Sequence, residues 1–325
     1  MTPVLAQEDS RPIGAIDFFG YAGFNLDPIK AALPIHEKDP FPGPSEVTEK
    51  INQTVRSAIG RTPTDVAAVC CDSQGNYIIF VGLPGLNVKE TRLNQVPKGK
   101  LKLPLSIVEL YDQTMEASSA SVLKGDARED ASHGYALSIS DSALREKQLA
   151  VRAYAIKHDA LIRAVLKTSS ETKQRIVAAH FLGYARQSTT QIADLVRATR
   201  DTNNGVRNDA TRALGVLAES SPTVAARIPA RPFIEMLNSG SWSDRNKAGW
   251  VLSILTRSRD PKLLAQLRSQ AVTSLIEMAR WRSIGHAYSA RLMLGRIGGI
   301  PEERLWKLAN ADNAEEIINT VQLKR

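Results

Sequence analysis

A nine-residue string recurs in the second half of this chain and limits what the chain can fold into. Arg175-Ile-Val-Ala178-Ala-His-Phe-Leu182-Gly183 matches Arg207-Asn-Asp-Ala210-Thr-Arg-Ala-Leu214-Gly215, with Arg, Ala, Leu and Gly at offsets 0, 3, 7 and 8. Arg245-Asn-Lys-Ala248-Gly-Trp-Val-Leu252 keeps the first three positions, and Ala287–Gly295 keeps Ala290, Leu294 and Gly295. The copies stand 32, 38 and 42 residues apart, the span of a helix pair. Each follows a shorter apolar segment, at Ala160–Leu166, Ile192–Ala198, Phe233–Leu237 and Val272–Met278. One such pair cannot bury its apolar side alone, so the copies must stack. The expected fold class is mainly α, with a C-terminal solenoid of helix pairs.

The Arg-x-x-Ala-x-x-x-Leu-Gly string, with acidic or Asn-rich turns before two copies (Asp201–Gly205 and Ser243-Asp244), resembles the HEAT-repeat family. That resemblance implies that the small residues let helices approach and that the second helix of each pair lines a concave surface. It also implies that Arg175, Arg207 and Arg245 bond the preceding turn and its acidic residue, which makes them structural. At 100° per residue, offsets 2, 5 and 9 point away from the side that carries Ala and Leu. Offset 5 gives His180, Arg212 and Trp250, and offset 2 gives Asp209 and Lys247. His180, Arg212, Lys247 and Trp250 are therefore candidates for a partner-binding stripe, since Trp and Arg concentrate binding energy. The competing reading packs Trp250 on a neighbouring pair and leaves the others solvated. Trp281 and Trp306 are expected between repeats, and Trp242 is expected to be exposed.

The first domain reads as strand, two helices and two strands. Ile13–Phe19 is β-rich, Asp27 caps a short helix with Pro28 at its first position, and Ser45 caps a longer one that carries Val47, Ile51, Val55 and Ile59 and stops at Gly60. Val66–Cys71 and Tyr77–Val81 flank a hairpin loop. This β-α-α-β-β order resembles the polypeptide-transport-associated (POTRA) domain. The resemblance implies binding of peptides or proteins by strand pairing at an exposed sheet edge, in an envelope compartment. No barrel follows the domain here, which departs from that family's usual setting. The division expected is a tail or signal remnant at 1–11, the α+β domain at 12–86, a connector at 87–103 that adds a strand at Leu101–Leu103, and the helical domain at 104–325.

Three local features bear on chemistry. Asp126, Glu129, Asp130 and His133 would share one face of a helix and could bind a divalent metal, but Gly125 and Gly134 bracket the segment closely, and capping or a solvated acidic turn explains it without one. Cys70 and Cys71 should point to opposite faces of a strand, which argues against a vicinal disulfide. The small residues Val4 and Ala6 fit the end of a signal peptide, which predicts a periplasmic or secreted protein; an ordinary tail predicts a cytoplasmic one.

Charge divides the chain. Residues 1–144 hold 13 Lys and Arg against 18 Asp and Glu, and residues 145–325 hold 29 against 16. The basic half favours acidic protein, nucleic acid or anionic headgroups. No GxGxxG, P-loop, CxxC or Ser-His-Asp frame occurs. The expectation is a non-enzymatic adaptor with protein partners, no cofactor and no metal. Two alternatives come from HEAT-like relatives: nucleic-acid binding on a basic concave face, and a lyase that handles bilins.

Overall fold

The computed structural model describes residues 11–126 and 128–322; the suspected signal remnant around Val4 and Ala6 lies outside them. The molecule is mainly α, an α-solenoid of helix pairs preceded by a small α+β unit.

That unit contains β1 (Ile13–Phe19), α1 (Asp27–Ala32), α2 (Pro44–Ile59), β2 (Asp65–Cys70) and β3 (Tyr77–Gly82). The sheet order is β1-β3-β2, with β1 parallel and β2 antiparallel to β3. One sheet face packs Phe18, Ile79 and Val81 against Ile29, Val47, Ile51 and Val55 of the two helices. The opposite face carries Ala15, Phe19, Ile78 and Phe80 and joins the core of the solenoid. Gly60 ends α2 in the left-handed region, at φ 70°, where a side chain would be strained. Neither expected cap holds: α2 begins at Pro44 behind Gly43, and Asp27 is itself the first residue of α1, because a Pro pre-set for helical φ sits in each first turn.

The solenoid is built from α5 (Asp159–Thr168) with α6 (Thr172–Leu182), α7 (Thr189–Ala198) with α8 (Asn204–Ser220), α10 (Arg231–Met236) with α11 (Trp242–Leu255), and α12 (Pro261–Ala279) with α13 (Ile284–Gly298). A short α9 (Pro222–Ala225) fills the longer gap after α8. Beyond the four expected pairs, α14 (Glu302–Ala309) and α15 (Glu315–Gln322) form a fifth, whose Ile317 and Ile318 are fully buried. Ahead of the array, α3 (Leu105–Leu123) packs on α4 (Ser142–Lys157), and the hairpin β4 (Glu129–Asp130) and β5 (Leu137–Ser138) joins them.

The three repeated arginines are buried in a ladder. Arg175 Nη1 donates to the carbonyls of Ser169 and Ser170 in its own turn, while Nε reaches Asp201 of the next pair at 2.8 Å. Arg207 repeats this with the carbonyls of Asp201 and Thr202 and with Asp244 at 2.9 Å. Arg245 takes the Ser239 carbonyl and Glu277 at 3.1 Å. The acid thus belongs to the following pair and not to the preceding turn, so each arginine ties two repeats together. In the fourth copy Ala287 replaces the arginine, and Arg291, one turn later, donates to the carbonyls of Ala279, Ala309 and Ala311.

Several expectations fail where the α+β unit meets the array. Trp281 is buried, but against Phe80 and Phe19 of the sheet and not between repeats; its indole N–H donates to the Phe18 carbonyl at 3.1 Å. Trp242 is half-buried and stacks on Phe80 with ring centres 5.0 Å apart, so it is no exposed turn residue. Trp306 is the exposed one, at 59%. Cys70 and Cys71 form a vicinal disulfide across a cis peptide; β2 ends at Cys70, so strand alternation does not govern Cys71.

Residues 87–103 form a strap along the turns within the helix pairs. Lys89 N donates to Asn238 O, Asn94 N to Arg200 O, Gly99 N to Thr168 O, and Leu103 N to the Gln174 side chain. Leu101–Leu103 makes no strand, because its hydrogen bonds go to the repeats; only Gly99 bridges, to Ser169.

Candidate functional site

The helices α6, α8, α11 and α13 pack closely on one another and present offsets 2, 5 and 9 on a shared inner face. The chain itself covers the start of that face. Tyr111 of α3 lies edge-on to His180, with centres 5.2 Å apart, and its hydroxyl approaches Asp209 Oδ2 at 3.4 Å. Tyr184, at offset 9 of the first copy, closes the other side of His180 at 5.4 Å. His180 is therefore 7% exposed, not an outward recognition residue, and its Nε2 has no hydrogen-bond partner among the described residues. Burial and the neighbouring Arg212 push its pKa down to about 3, so it is neutral.

Arg212 lies beside the β4–β5 hairpin and pairs with Glu129, which also accepts from Gln148. The acidic and histidine cluster of the sequence is thus dispersed. The segment is a hairpin, so Glu129 turns to Arg212, Asp130 accepts from Ser132 N, and His133 stacks on Tyr135. No group of metal-ligating residues forms among the described residues.

Trp250 is half-buried against α8, where Gly215 makes room for it. A Cβ on Gly215 would stand 2.3 Å from the indole Cζ3. The packing alternative holds for this residue, and the repeated Gly of the motif serves as its seat.

Lys247 is different. It is half-exposed on α11 and makes no hydrogen bond or ion pair among the described residues. Burial, and then the Arg212 charge, lower its pKa to about 8, against a smaller opposing pull from Asp209 and Glu129. Asp209 is 8% exposed, and burial raises its pKa to about 6 despite Arg212, Asn208, Lys247 and Tyr111. His286, at the start of α13, completes the set: burial and Lys247 lower its pKa to about 4. Three of the four stripe residues therefore belong to one electrostatic cluster, but only Arg212 and Lys247 present charge.

Sequence reasoning missed Tyr111, Tyr184 and His286 as members of this cluster. Tyr184 was findable from its offset of 9; Tyr111 and His286 come from outside the repeated string and carry no periodic signal.

No family model matches the chain, and no curated protein matches it. Among solved structures, an engineered protein aligns at TM-score 0.39 and 16% identity over 57% of this chain and 93% of its own. A designed armadillo repeat protein in complex with a (KR)4 peptide aligns at TM-score 0.38 and 15% identity, over 67% and 95%.

Proposed function

We infer that this protein is a non-enzymatic scaffold that holds a protein partner on the inner face of its solenoid, with an acidic side chain of the partner received between Lys247 and Arg212. The observation that carries the reading is Lys247 itself. A half-buried ammonium without a direct counter-ion is costly to keep charged, and a partner carboxylate would remove that cost. The repeated arginines supply no such site, because each is buried as well as paired, whereas Arg212 keeps part of its guanidinium exposed. The covering helix α3 closes the start of this face to a continuous phosphate backbone but leaves Lys247 within reach of a single carboxylate, so a protein partner is favoured over nucleic acid.

The β-α-α-β-β unit is read as a POTRA-like module. Strand pairing at its β1 edge is opposed by the solenoid: Trp281 and Arg282 already donate to the Phe18 and Ile16 carbonyls. Its role here is to brace the array. The periplasm or the cell exterior is the proposed setting; no helix among the described residues is long and apolar enough to cross a membrane.

The test is site-specific photo-crosslinking from Asn246, which adjoins Lys247 and is half-exposed, in cells that make the protein. One protein should be captured through a segment containing Asp or Glu, and Lys247→Glu should abolish capture. No crosslink, or capture unchanged by Lys247→Glu, would contradict the reading.

A further inference from the structure

A second surface, on the strap side of the array, is independent of the inner face. A trough of about 1040 Å³ runs between residues 89–94 and helices α7, α10 and α12. Hydrogen bonds pin the strap at both ends: Lys89 N to Asn238 O at 2.8 Å, and Asn94 to Arg200 O at 2.7 Å and, through Nδ2, to Arg197 O at 2.9 Å. Between the pins, residues 90–93 make no main-chain hydrogen bond among the described residues, and Glu90, Thr91 and Arg92 form one side of the trough.

The trough is charged with one sign in excess. Lys89, Arg92, Arg197, Arg200 and Arg231 line it against only Glu90 and Glu235. Glu235 is engaged twice, by Arg200 at 2.7 Å and by Arg231 at 3.0 Å. Arg92 and Arg197 are exposed and make no ion pair among the described residues. The wall beneath is apolar, formed by Pro232, Ile234 and the half-buried Val196. A cleft of this volume is at the upper end of the range for bound ligands. Two arginines without partners over an apolar wall suit carboxylates carried on a chain with apolar positions, and the unpaired main chain of the strap suits an extended backbone.

We propose that this trough binds an acidic, extended peptide segment, its backbone alongside residues 90–93 and its carboxylates on Arg92 and Arg197. A nucleic acid would meet the same cations, but its backbone carries no apolar side chains to set against Pro232, Ile234 and Val196.

The probe is a fluorescein-labelled octaglutamate peptide, titrated with the full chain by fluorescence anisotropy at low and at physiological salt. The double variant R92A/R197A should weaken binding by about tenfold, the effect of losing two exposed charge contacts. Lys307→Glu, exposed on α14 and outside the trough, should leave this binding unchanged, which separates the trough from a general effect of net charge, and an octalysine peptide should not bind. Because both arginines are exposed, the melting temperature should hold within a few degrees; Arg92→Glu, on the strap alone, gives a second reading of the same loss. Unchanged affinity in the double variant overturns the proposal. So does tighter binding of a single-stranded oligonucleotide that the same double variant abolishes.

Discussion

Two rows of side chains run along this solenoid, and they behave in opposite ways. The row at offset 0 repeats in chemistry: Arg175, Arg207 and Arg245 each take carbonyls of their own turn and an acid of the next pair. The row at offsets 2 and 5 repeats only in position. There His180 is neutral and enclosed, Arg212 is paired with a distant hairpin, Trp250 fills the space over a glycine, and Lys247 has no bonded partner among the described residues. What recurs holds the array together, and what varies differs from copy to copy in burial and in partner.

The ladder also reaches the small α+β unit. Its last acid, Glu277, is 2% exposed and accepts from Arg245, from the main-chain N–H groups of Gly20 and Tyr21 at 2.7 and 2.9 Å, and from Asn87 at 2.8 Å. A position that serves repeat stacking elsewhere here clamps the end of β1. Arg245 in turn lies 5.0 Å from the centre of the Phe19 ring.

The contrast is sharpest, and most open to refutation, at Arg245. Arg245→Ala leaves Glu277 buried without its cation and should cost about 3–5 kcal/mol in urea denaturation. A loss below about 1 kcal/mol would place the ladder with ordinary surface pairs. Next in size is Gly215→Ala, whose new methyl group meets the Trp250 ring; it should cost about 1–3 kcal/mol by overpacking, and an unchanged stability would mean that Trp250 is free to move.

Asp209 gives a pH signature of intermediate size. Its folded pKa, about 6, is above the ordinary 3.8, so the native state keeps this proton after the unfolded chain has lost it. The stabilisation is full below about pH 4 and is lost as pH rises through 6, on the order of 3 kcal/mol. Asp209→Asn should flatten that part of the stability curve; an unaltered curve would show that Asp209 is not the group responsible. The smallest effect belongs to Arg212→Ala. Its pair with Glu129 is partly exposed, at 27% and 28%, and should contribute about 1 kcal/mol or less. If Arg212→Ala proved as damaging as Arg245→Ala, the distinction between the rows would fail.

How far these features could be read from sequence follows the same division. Local periodicity made the helix pairs, the Gly60 stop, the three strands of the small domain and the structural assignment of the arginines legible, because each rests on contacts a few residues apart or one repeat apart. The partner of each arginine was displaced by one repeat, since the string does not say which neighbour supplies the acid. Long-range docking was not legible. Nothing in Ser239-Gly-Ser-Trp242 shows that Phe80 will stack on the indole, and nothing in Leu105–Leu123 shows that Tyr111 will enclose His180. Trp281 reads as a repeat-packing residue because its sheet partners lie more than 200 positions away.

In the proposed function, Lys247 is a half-buried cation, unpaired among the described residues, that a partner neutralises. Titrating the Lys247 side chain by NMR of lysine labelled at Cε tests it directly. The midpoint should fall near 8 and move up in Arg212→Ala, which removes a neighbouring like charge. A midpoint near the ordinary 10.5 in both proteins would show Lys247 to be a solvated surface lysine and would contradict the account.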